Sequence, residues 1–467
     1  MKKTKIICSI GPASDNFETL RELALAGMDC VRINMSHASY ESVLDNIDVI
    51  RMTRAATSKH IAIMYDTKGP EFRTLEFENG GINIQTGQTI MMVKEKILGN
   101  NERFSVNHPE AIDNIKLNDH VLVDNALLDL LVIDKQSDYV VLKALNDGEI
   151  KNHKTLNVPG VNLDLPFMSE TDRKDIEFAS SHSCDYLALS FVNCANDVRE
   201  AREIIENSGG DARIIAKIES KTGVDNVDEI INAADGIMVA RGDLGVEIPV
   251  EHLPLIQKKI IKRCRELGKF AIVATEMLAS MSENPRPTRA EVSDIANAVI
   301  DGTDCVMLSG ETAVGKYPIQ AVDYMAKICC SVEDTIDYSK DIEYKGILGT
   351  SDTIAKLVAD AVLTDDIKAV VATTMTGYTA RKISNLRPNA PILACCPSNH
   401  IAEKVALNYG VLPVVIKMFD NTDEMIHGAK QIAIETLNLT RGDKIVITGG
   451  FPLGQTRATN YIRIAEI

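Results

Sequence analysis

A chain of 467 residues, 45% hydrophobic and 25% charged, has the balance of an ordinary globular protein and the length of about three domains. Its net charge of −16 argues against nucleic acid as a partner, which needs a basic surface, but not against small anions, which respond to the local field of a cleft. No segment reaches the roughly 18 uninterrupted apolar residues of a membrane span, and the basic start Met1–Lys5 lacks the apolar stretch of a signal peptide, so a cytoplasmic protein is expected.

Eight short apolar, β-rich runs recur along the chain: Lys5–Ile10, Val31–Met35, Ile61–Asp66, Tyr186–Val192, Arg213–Ile218, Gly236–Ala240, Phe270–Ala274 and Cys305–Leu308. Near-continuous hydrophobic segments of this length suit buried parallel strands. Amphipathic helical patterns separate them, at Asp15–Ala26 (Asp15 as N-cap, Gly27 at the end), Ser39–Thr57, Ser169–Ser181, Ala195–Asn207 and Pro249–Leu267. Eight such units predict an α/β protein built on a (β/α)8 TIM barrel, residues 1–69 and 166–338. Residues 70–165 have another texture. They alternate apolar and polar residues and are punctuated by NGG, GNN and NDG, the pattern of an inserted all-β lid domain. Residues 339–467 read as a C-terminal open α/β domain, with strands at Ala369–Thr374, Ile392–Cys395, Val414–Ile416, Lys444–Thr448 and Tyr461–Ala465. The ten cysteines include no C-x-x-C and fall largely in apolar runs, so reduced core thiols are expected.

Catalytic groups of such a barrel belong at the C-terminal ends of its strands. Strand 2 ends in Arg32, Asn34, Ser36 and His37, and strand 3 in Asp66-Thr67-Lys68-Gly69-Pro70-Glu71-Phe72-Arg73. Strand 5 carries Lys217 and Glu219, strand 6 runs into Arg241-Gly242-Asp243-Leu244-Gly245, strand 7 ends in Thr275-Glu276 and strand 8 in Ser309-Gly310-Glu311-Thr312. Lys217 and Glu219 lie two apart on one strand and therefore point the same way. They form either a structural salt bridge or, with Asp243 next door, a site where two carboxylates hold a hard divalent cation and the lysine offsets developing charge. Such a set suits phosphoryl transfer. Gly242 and Gly245 permit a tight turn, and a short helix starting there could receive an anion.

The segments TKIICSIGPAS, RINMSH, DTKGPEFRT, IAKIES, MVARGDLGVEI, ATEMLASM, NPRPTRAEVSDIANAVIDGTD and MLSGETAVGKYP, in this order, resemble the signatures of the pyruvate kinase family, over nearly the whole chain. The resemblance implies transfer of a phosphoryl group from phosphoenolpyruvate to ADP, giving pyruvate and ATP. It implies Mg2+ or Mn2+ on Glu219 and Asp243, and K+ on Asn34, Ser36, Asp66 and Thr67, with Glu71 marking K+ dependence. Arg32 and Lys217 would contact the phosphoryl group. Gly242, Asp243 and Thr275 would hold the substrate carboxylate, with Thr275 linked to proton delivery. Asn34, His37, Arg73 and the lid residue Lys154 would face the nucleotide. Glu276 stands where the family is variable. The C-terminal domain would bind a phosphorylated effector, a sugar phosphate or nucleotide, through Thr374, Thr376, Gly377 and Thr379, although a Thr-rich capped helix start reads the same way. Gly449–Thr459 would be its second loop, and Arg457 there is either a phosphate contact or a solvated charge. A homotetramer is the family's usual state. The family also implies that the short domain ahead of the barrel in longer members is missing, leaving nothing to cover the barrel's N-terminal side. A dikinase is disfavoured because none of the nine histidines follows a Gly-Thr pair. A non-catalytic sugar-phosphate sensor is disfavoured because every expected catalytic group is present.

Overall fold

The computed structural model describes residues 1–336, 349–452, 456 and 458–467. The proposed boundary at 338/339 and Arg457 lie outside the described residues. Eight parallel strands close into a barrel: Lys5–Ser9, Cys30–Asn34, Ala62–Asp66, Tyr186–Leu189, Arg213–Ile218, Gly236–Ala240, Phe270–Ala274 and Cys305–Leu308. We call these strands 1 to 8. Each pairs with its neighbours in sequence, and strand 8 closes onto strand 1 through Lys5 opposite Cys305. Strand 4 stops at Leu189, short of the expected Val192, because the chain turns at Phe191 with φ 54°.

Helices fill the outer ring. The first, Phe17–Ala26, is capped by Asn16, whose side chain accepts from Thr19 N–H, and not by Asp15. It ends at Gly27, whose φ of 133° is closed to residues with a Cβ. Pro249 begins no long helix. A 3-10 turn at Val250–His252 precedes the helix Leu253–Leu267, which carries Pro254 in its first turn.

Between strands 3 and 4, residues Thr89–Val93, Arg103–Ser105, His120–Val123, Leu128–Lys135, Tyr139–Ala144 and Leu156–Asn157 form a six-stranded sheet with its own apolar core. A separate pair joins Gly81–Ile84 to Gly148–Lys151. The pairing is antiparallel except between Thr89–Val93 and Arg103–Ser105. A last five-stranded sheet runs in the order Val411–Val415, Ile392–Cys396, Ile367–Thr373, Lys444–Gly450, Thr459–Glu466, with only the final strand antiparallel. Its first strand in that order begins at Val411, three residues before the expected Val414.

Residues at alternate positions along each barrel strand face the lumen. Low in the barrel they are apolar: Ile7, Cys30, Met64, Tyr186, Ile215, Met238, Phe270 and Cys305 form one buried cluster. Ala406 and Leu407 of the C-terminal domain join that cluster from below. The expectation that nothing covers this side is thus overturned. A lumen lined by bare hydrocarbon is costly in water, and the C-terminal domain supplies the cover. Polar contacts fix the joint. Tyr186 Oη and Arg213 Nη1 both donate to the Lys404 carbonyl, at 2.6 and 2.7 Å, and Lys5 Nζ donates to the Val411 carbonyl at 2.7 Å. The Arg387 guanidinium lies 3.9 Å above the Tyr409 ring and donates to Asp304 at 2.9 Å.

All ten cysteines are free thiols, and eight are buried. No helix among the described residues is long and apolar enough to cross a membrane.

Leu407→Ala empties space at the foot of the barrel and is expected to destabilise the protein by about 2–4 kcal/mol. Urea unfolding followed by barrel and C-terminal probes should show both transitions moving. An unchanged barrel transition would refute the cover.

Candidate active site

The lumen changes character towards the C-terminal rim. Continuing the same alternation upwards, Cys30 gives way to Arg32 and Asn34, Met64 to Asp66, and Ile215 to Lys217 and Glu219. Strand pairing sets Asn34 directly beside Asp66. Asp66 and Glu219 are almost wholly buried, at 0 and 1% exposure, so their charges must be met by protein or ligand.

They are met by two cations. Arg32 Nε donates to Asp66 Oδ2 at 2.6 Å, while its Nη1 donates to Ser9 Oγ at 2.8 Å. Lys217 Nζ lies 3.2 Å from Asp66 Oδ1 and 3.0 Å from Glu219 Oε1. Burial alone would raise the Asp66 carboxyl, but Arg32 and Lys217 outweigh it and hold the group below its ordinary value. Burial also works against charge on Lys217, and Asp66 and Glu219 reverse it, so the ammonium is held above its usual range. Among the described residues Glu219 has the lysine and one N–H as partners. Burial, opposed by Lys217 and aided by the nearby Asp243, pushes it up to about 7.

Strand 4 supplies partners that sequence reasoning missed. Ser190 Oγ accepts from Lys217 Nζ at 2.7 Å and lies 3.3 Å from Asp66 Oδ1 and 2.8 Å from the Thr67 carbonyl. The left-handed turn at Phe191 points its N–H at Glu219 Oε2, 2.6 Å away. The signal was available, since Ser190-Phe191 follows strand 4 as Asp66-Thr67 ends strand 3.

Asp243 sits in the first turn of the short helix Arg241–Glu247, directly after strand 6. Arg241 ties this helix to the next strand: its Nη2 donates to the Thr275 carbonyl at 2.7 Å and its Nη1 to Asp294 at 2.5 Å. Thr275 and Glu276 both adopt positive φ, 68° and 53°, a left-handed backbone that is strained for a β-branched threonine. The bend brings Thr275 Oγ1 to the Gly242 N–H, at 2.8 Å. Glu276 points to solvent.

The remaining expected residues lie further from this centre. Ser36 N–H donates to Asn34 Oδ1 at 3.1 Å, and His37 is exposed. Arg73 forks onto Glu71 at 2.8 and 2.6 Å and donates to the His153 carbonyl. Lys154 Nζ pairs with Asp124 inside the lid at 2.8 Å, so it is not joined to the barrel groups. In the C-terminal domain, Thr374 N–H donates to the Cys395 carbonyl and Thr379 Oγ1 lies 2.8 Å from Thr459 Oγ1. Thr376 is exposed, and Gly377 takes φ 79° at the start of the helix Tyr378–Asn385.

The donor set fits a hard divalent cation. Glu219 and Asp243 set carboxylate oxygens, the donors a hard cation prefers, at adjacent strand ends, and burial raises the Glu219 carboxyl. Among the described residues no group of three or more His, Cys, Asp or Glu is placed to hold a metal ion. Beside Asp66 stand Asn34, whose Oδ1 accepts from Ser36 N–H, and Thr67, whose Oγ1 accepts from Ser190 N–H.

Ser190→Ala removes the hydroxyl that links Lys217, Asp66 and Thr67, and is expected to cost about 1–2 kcal/mol of stability. A urea midpoint equal to wild type would show that the hydroxyl holds nothing.

Comparison with known proteins bears on family and fold. The family model for the pyruvate kinase barrel domain matches residues 1–322, and that for the pyruvate kinase alpha/beta domain matches residues 352–465. The chain is 44% identical to the pyruvate kinase of Staphylococcus aureus (strain MRSA252), over 99% of this chain and 80% of that protein. It is 44% identical to the pyruvate kinase of Geobacillus stearothermophilus, over 100% of this chain and 80% of that protein. The crystal structure of a pyruvate kinase from Cryptosporidium parvum superposes with a TM-score of 0.94 at 36% identity, covering 100% of this chain and 96% of the other. A barrel whose mouth gathers Lys217, Glu219, Asp66 and Arg32, matched over its full length by these relatives, leaves one assignment: the chain belongs to the pyruvate kinase family.

Proposed function

We propose that the barrel mouth transfers the phosphoryl group of phosphoenolpyruvate to ADP, the last step of glycolysis, in the cytoplasm. The observation that carries this reading is the Lys217 ammonium, buried at the rim between Asp66 and Glu219 with Arg32 on the other side of Asp66. Phosphoryl transfer asks the protein for positioning and fixed positive charge, and both cations are fixed by ion pairs before substrate arrives.

In this reading the residues take the following roles. Arg32 and Lys217 offset negative charge on the moving phosphoryl group, and Lys217 also faces the enolate left behind. Glu219 and Asp243 hold Mg2+ or Mn2+, and Asn34, Ser36, Asp66 and Thr67 hold K+. When bound, these cations supply Lewis-acid polarisation of the phosphoryl oxygens and neutralising charge. The Gly242 and Asp243 N–H groups with Thr275 Oγ1 receive the substrate carboxylate, and the Gly242–Thr275 hydrogen bond keeps that pocket in shape beforehand. Thr275 lies on the path of the proton that turns enolate into ketone. Asn34, His37, Arg73 and Lys154 face the nucleotide. For Lys154 this requires the lid to move, since its present partner is Asp124.

Residues 1–69 and 166–338 act as the catalytic unit, 70–165 as a lid hinged at Gly69-Pro70 and about Pro166, and 339–467 as a regulatory unit. The C-terminal loop Thr374, Thr376, Gly377 and Thr379 takes the phosphate of a sugar-phosphate or nucleotide effector, and the working form is a homotetramer. The exposed Thr376 and the left-handed Gly377 support the loop's role.

Pyruvate formation from phosphoenolpyruvate and ADP with Mg2+ is expected to need K+, because Glu71 puts a carboxylate where a built-in cation would otherwise serve. Lys217→Met is expected to lower kcat by about a thousandfold or more while the fold persists. Full activity in buffer free of K+ and Na+ would refute the cation site. Absence of activity under every cation would favour the sensor reading.

A protonated carboxylate must lose its proton before it takes a cation, so a Glu219 raised to about 7 makes divalent binding pH-dependent. Mn2+ affinity of the substrate-free protein, read by electron paramagnetic resonance, should weaken as pH falls below about 7, approaching tenfold per unit, and level off above it. A flat profile between about pH 6 and about pH 8 would exclude Glu219 as a ligand in this protonation state.

A further inference from the structure

At the opposite end of strand 5 from Lys217, the seam between barrel and C-terminal domain gathers cations without enough carboxylates. Arg213, 7% exposed, opens the strand. Its Nη1 donates to the Lys404 carbonyl at 2.7 Å, and its guanidinium lies 5.9 Å from the Phe270 ring centre. Its Nη2 makes no hydrogen bond among the described residues and comes within 3.2 Å of where a Cβ on Gly377 would sit. Arg213 therefore reaches across the seam to the turn that starts the helix Tyr378–Asn385.

Arg381 stands one turn along that helix, its N–H donating to the Gly377 carbonyl at 3.0 Å. Its side chain makes no hydrogen bond or ion pair among the described residues, and its ring contact is with Tyr378, 5.9 Å away. Burial, and then the charge of Arg213, pull its guanidinium down to about 10. Lys269 adds a third cation, its Nζ held among the described residues by the Ala234 and Asn232 carbonyls at 2.6 and 3.3 Å. Asp235 is the carboxylate within reach, and its Oδ2 already accepts from Arg202 Nη2 and Ile214 N–H, each at 3.0 Å. Two guanidinium groups so placed repel each other in a poorly solvated space, and neither has the bidentate acceptor that arginine favours.

We propose that Arg213 and Arg381 are the two jaws of a binding site for a phosphoryl anion, inorganic phosphate or the head of a phosphate monoester, in the seam between the barrel and the C-terminal domain. The anion supplies the missing negative charge and accepts from both forks. This site lies on the barrel-facing side of the Gly377 turn, where a Cβ would meet Val405 at 2.4 Å, whereas the effector loop turns Thr376 outward. It does not depend on the chemistry assigned to the barrel mouth. Arg213, four residues from Lys217 on one strand, makes the occupant a bridge between the C-terminal helix and the catalytic strand.

The test uses the full chain carrying Thr376→Glu, which sets a carboxylate in the exposed loop and suppresses phosphate binding there. Calorimetric titration with inorganic phosphate, and separately with glycerol 2-phosphate, should show binding. Equal affinity assigns the site to the phosphoryl head alone, and tighter monoester binding extends it to a carried group. Arg381→Met is expected to weaken binding about tenfold or more, with Arg381→Lys between the two. In phosphate-free buffer Arg381→Met should unfold at no lower temperature than its parent, because it removes a like-charge contact. Crystals soaked in tungstate should show the heavy anion between the two guanidinium groups. Phosphate affinity unchanged in Arg381→Met, or tungstate absent from the seam, overturns the proposal.

Discussion

The Lys217 ammonium is the charge around which the barrel mouth is built. It lies between Asp66 and Glu219, two carboxylates that burial alone would drive to the neutral form. Asp66 keeps its charge because Arg32 shares the work, and Glu219 is left only partly compensated. This imbalance has a direction. A divalent cation held by Glu219 and Asp243, as proposed, would supply the missing positive charge. Ser190 Oγ on Asp66 and the Phe191 N–H on Glu219 add one further contact to each carboxylate and help fix its orientation.

How such groups come together follows from barrel closure more than from any local sequence. One lumen-facing alternation serves two media. The same column of strand 5 reads Arg213, Ile215, Lys217 and Glu219: a cation at the seam, a hydrocarbon middle, then the reactive rim. Strand 3 repeats the upper part of the scheme, with Ala62 and Met64 in the hydrocarbon layer below Asp66. The apolar middle keeps bulk water from joining the two ends, and its low polarizability strengthens every charge interaction at the rim.

This logic explains what was legible in the sequence. Eight β-rich runs locate eight barrel strands, because parallel strands buried on both faces cannot hide their hydrophobicity. The rim groups of strands 2, 3, 5, 6 and 7 are equally plain, since charges at the ends of apolar runs stand out. Ser190 escaped because a lone serine inside Tyr186–Val192 looks like part of the strand, and only the turn at Phe191 places it on the rim. Asn16 took the cap from Asp15 because two good capping residues in succession leave the choice to where the helix starts. The covered base of the barrel was illegible for a different reason. Ala406-Leu407 is an unremarkable apolar pair in sequence, and its partners lie more than one hundred residues away. No periodicity records a contact between domains.

That contact changes what the C-terminal domain is to the barrel. Because Ala406 and Leu407 complete the lumen's lower layer, the domain cannot tilt freely without exposing hydrocarbon, and any rotation must carry barrel side chains with it. Among the polar contacts of the joint, Tyr186 on strand 4 and Arg213 on strand 5 share the carbonyl of Lys404. From Arg213 to Lys217 is four residues, about 13 Å along an extended strand. Arg213, which meets the Lys404 carbonyl and lies beside the Gly377 turn, thus stands on the same strand as the ammonium between Asp66 and Glu219, so strand 5 is the element that both ends of the molecule share.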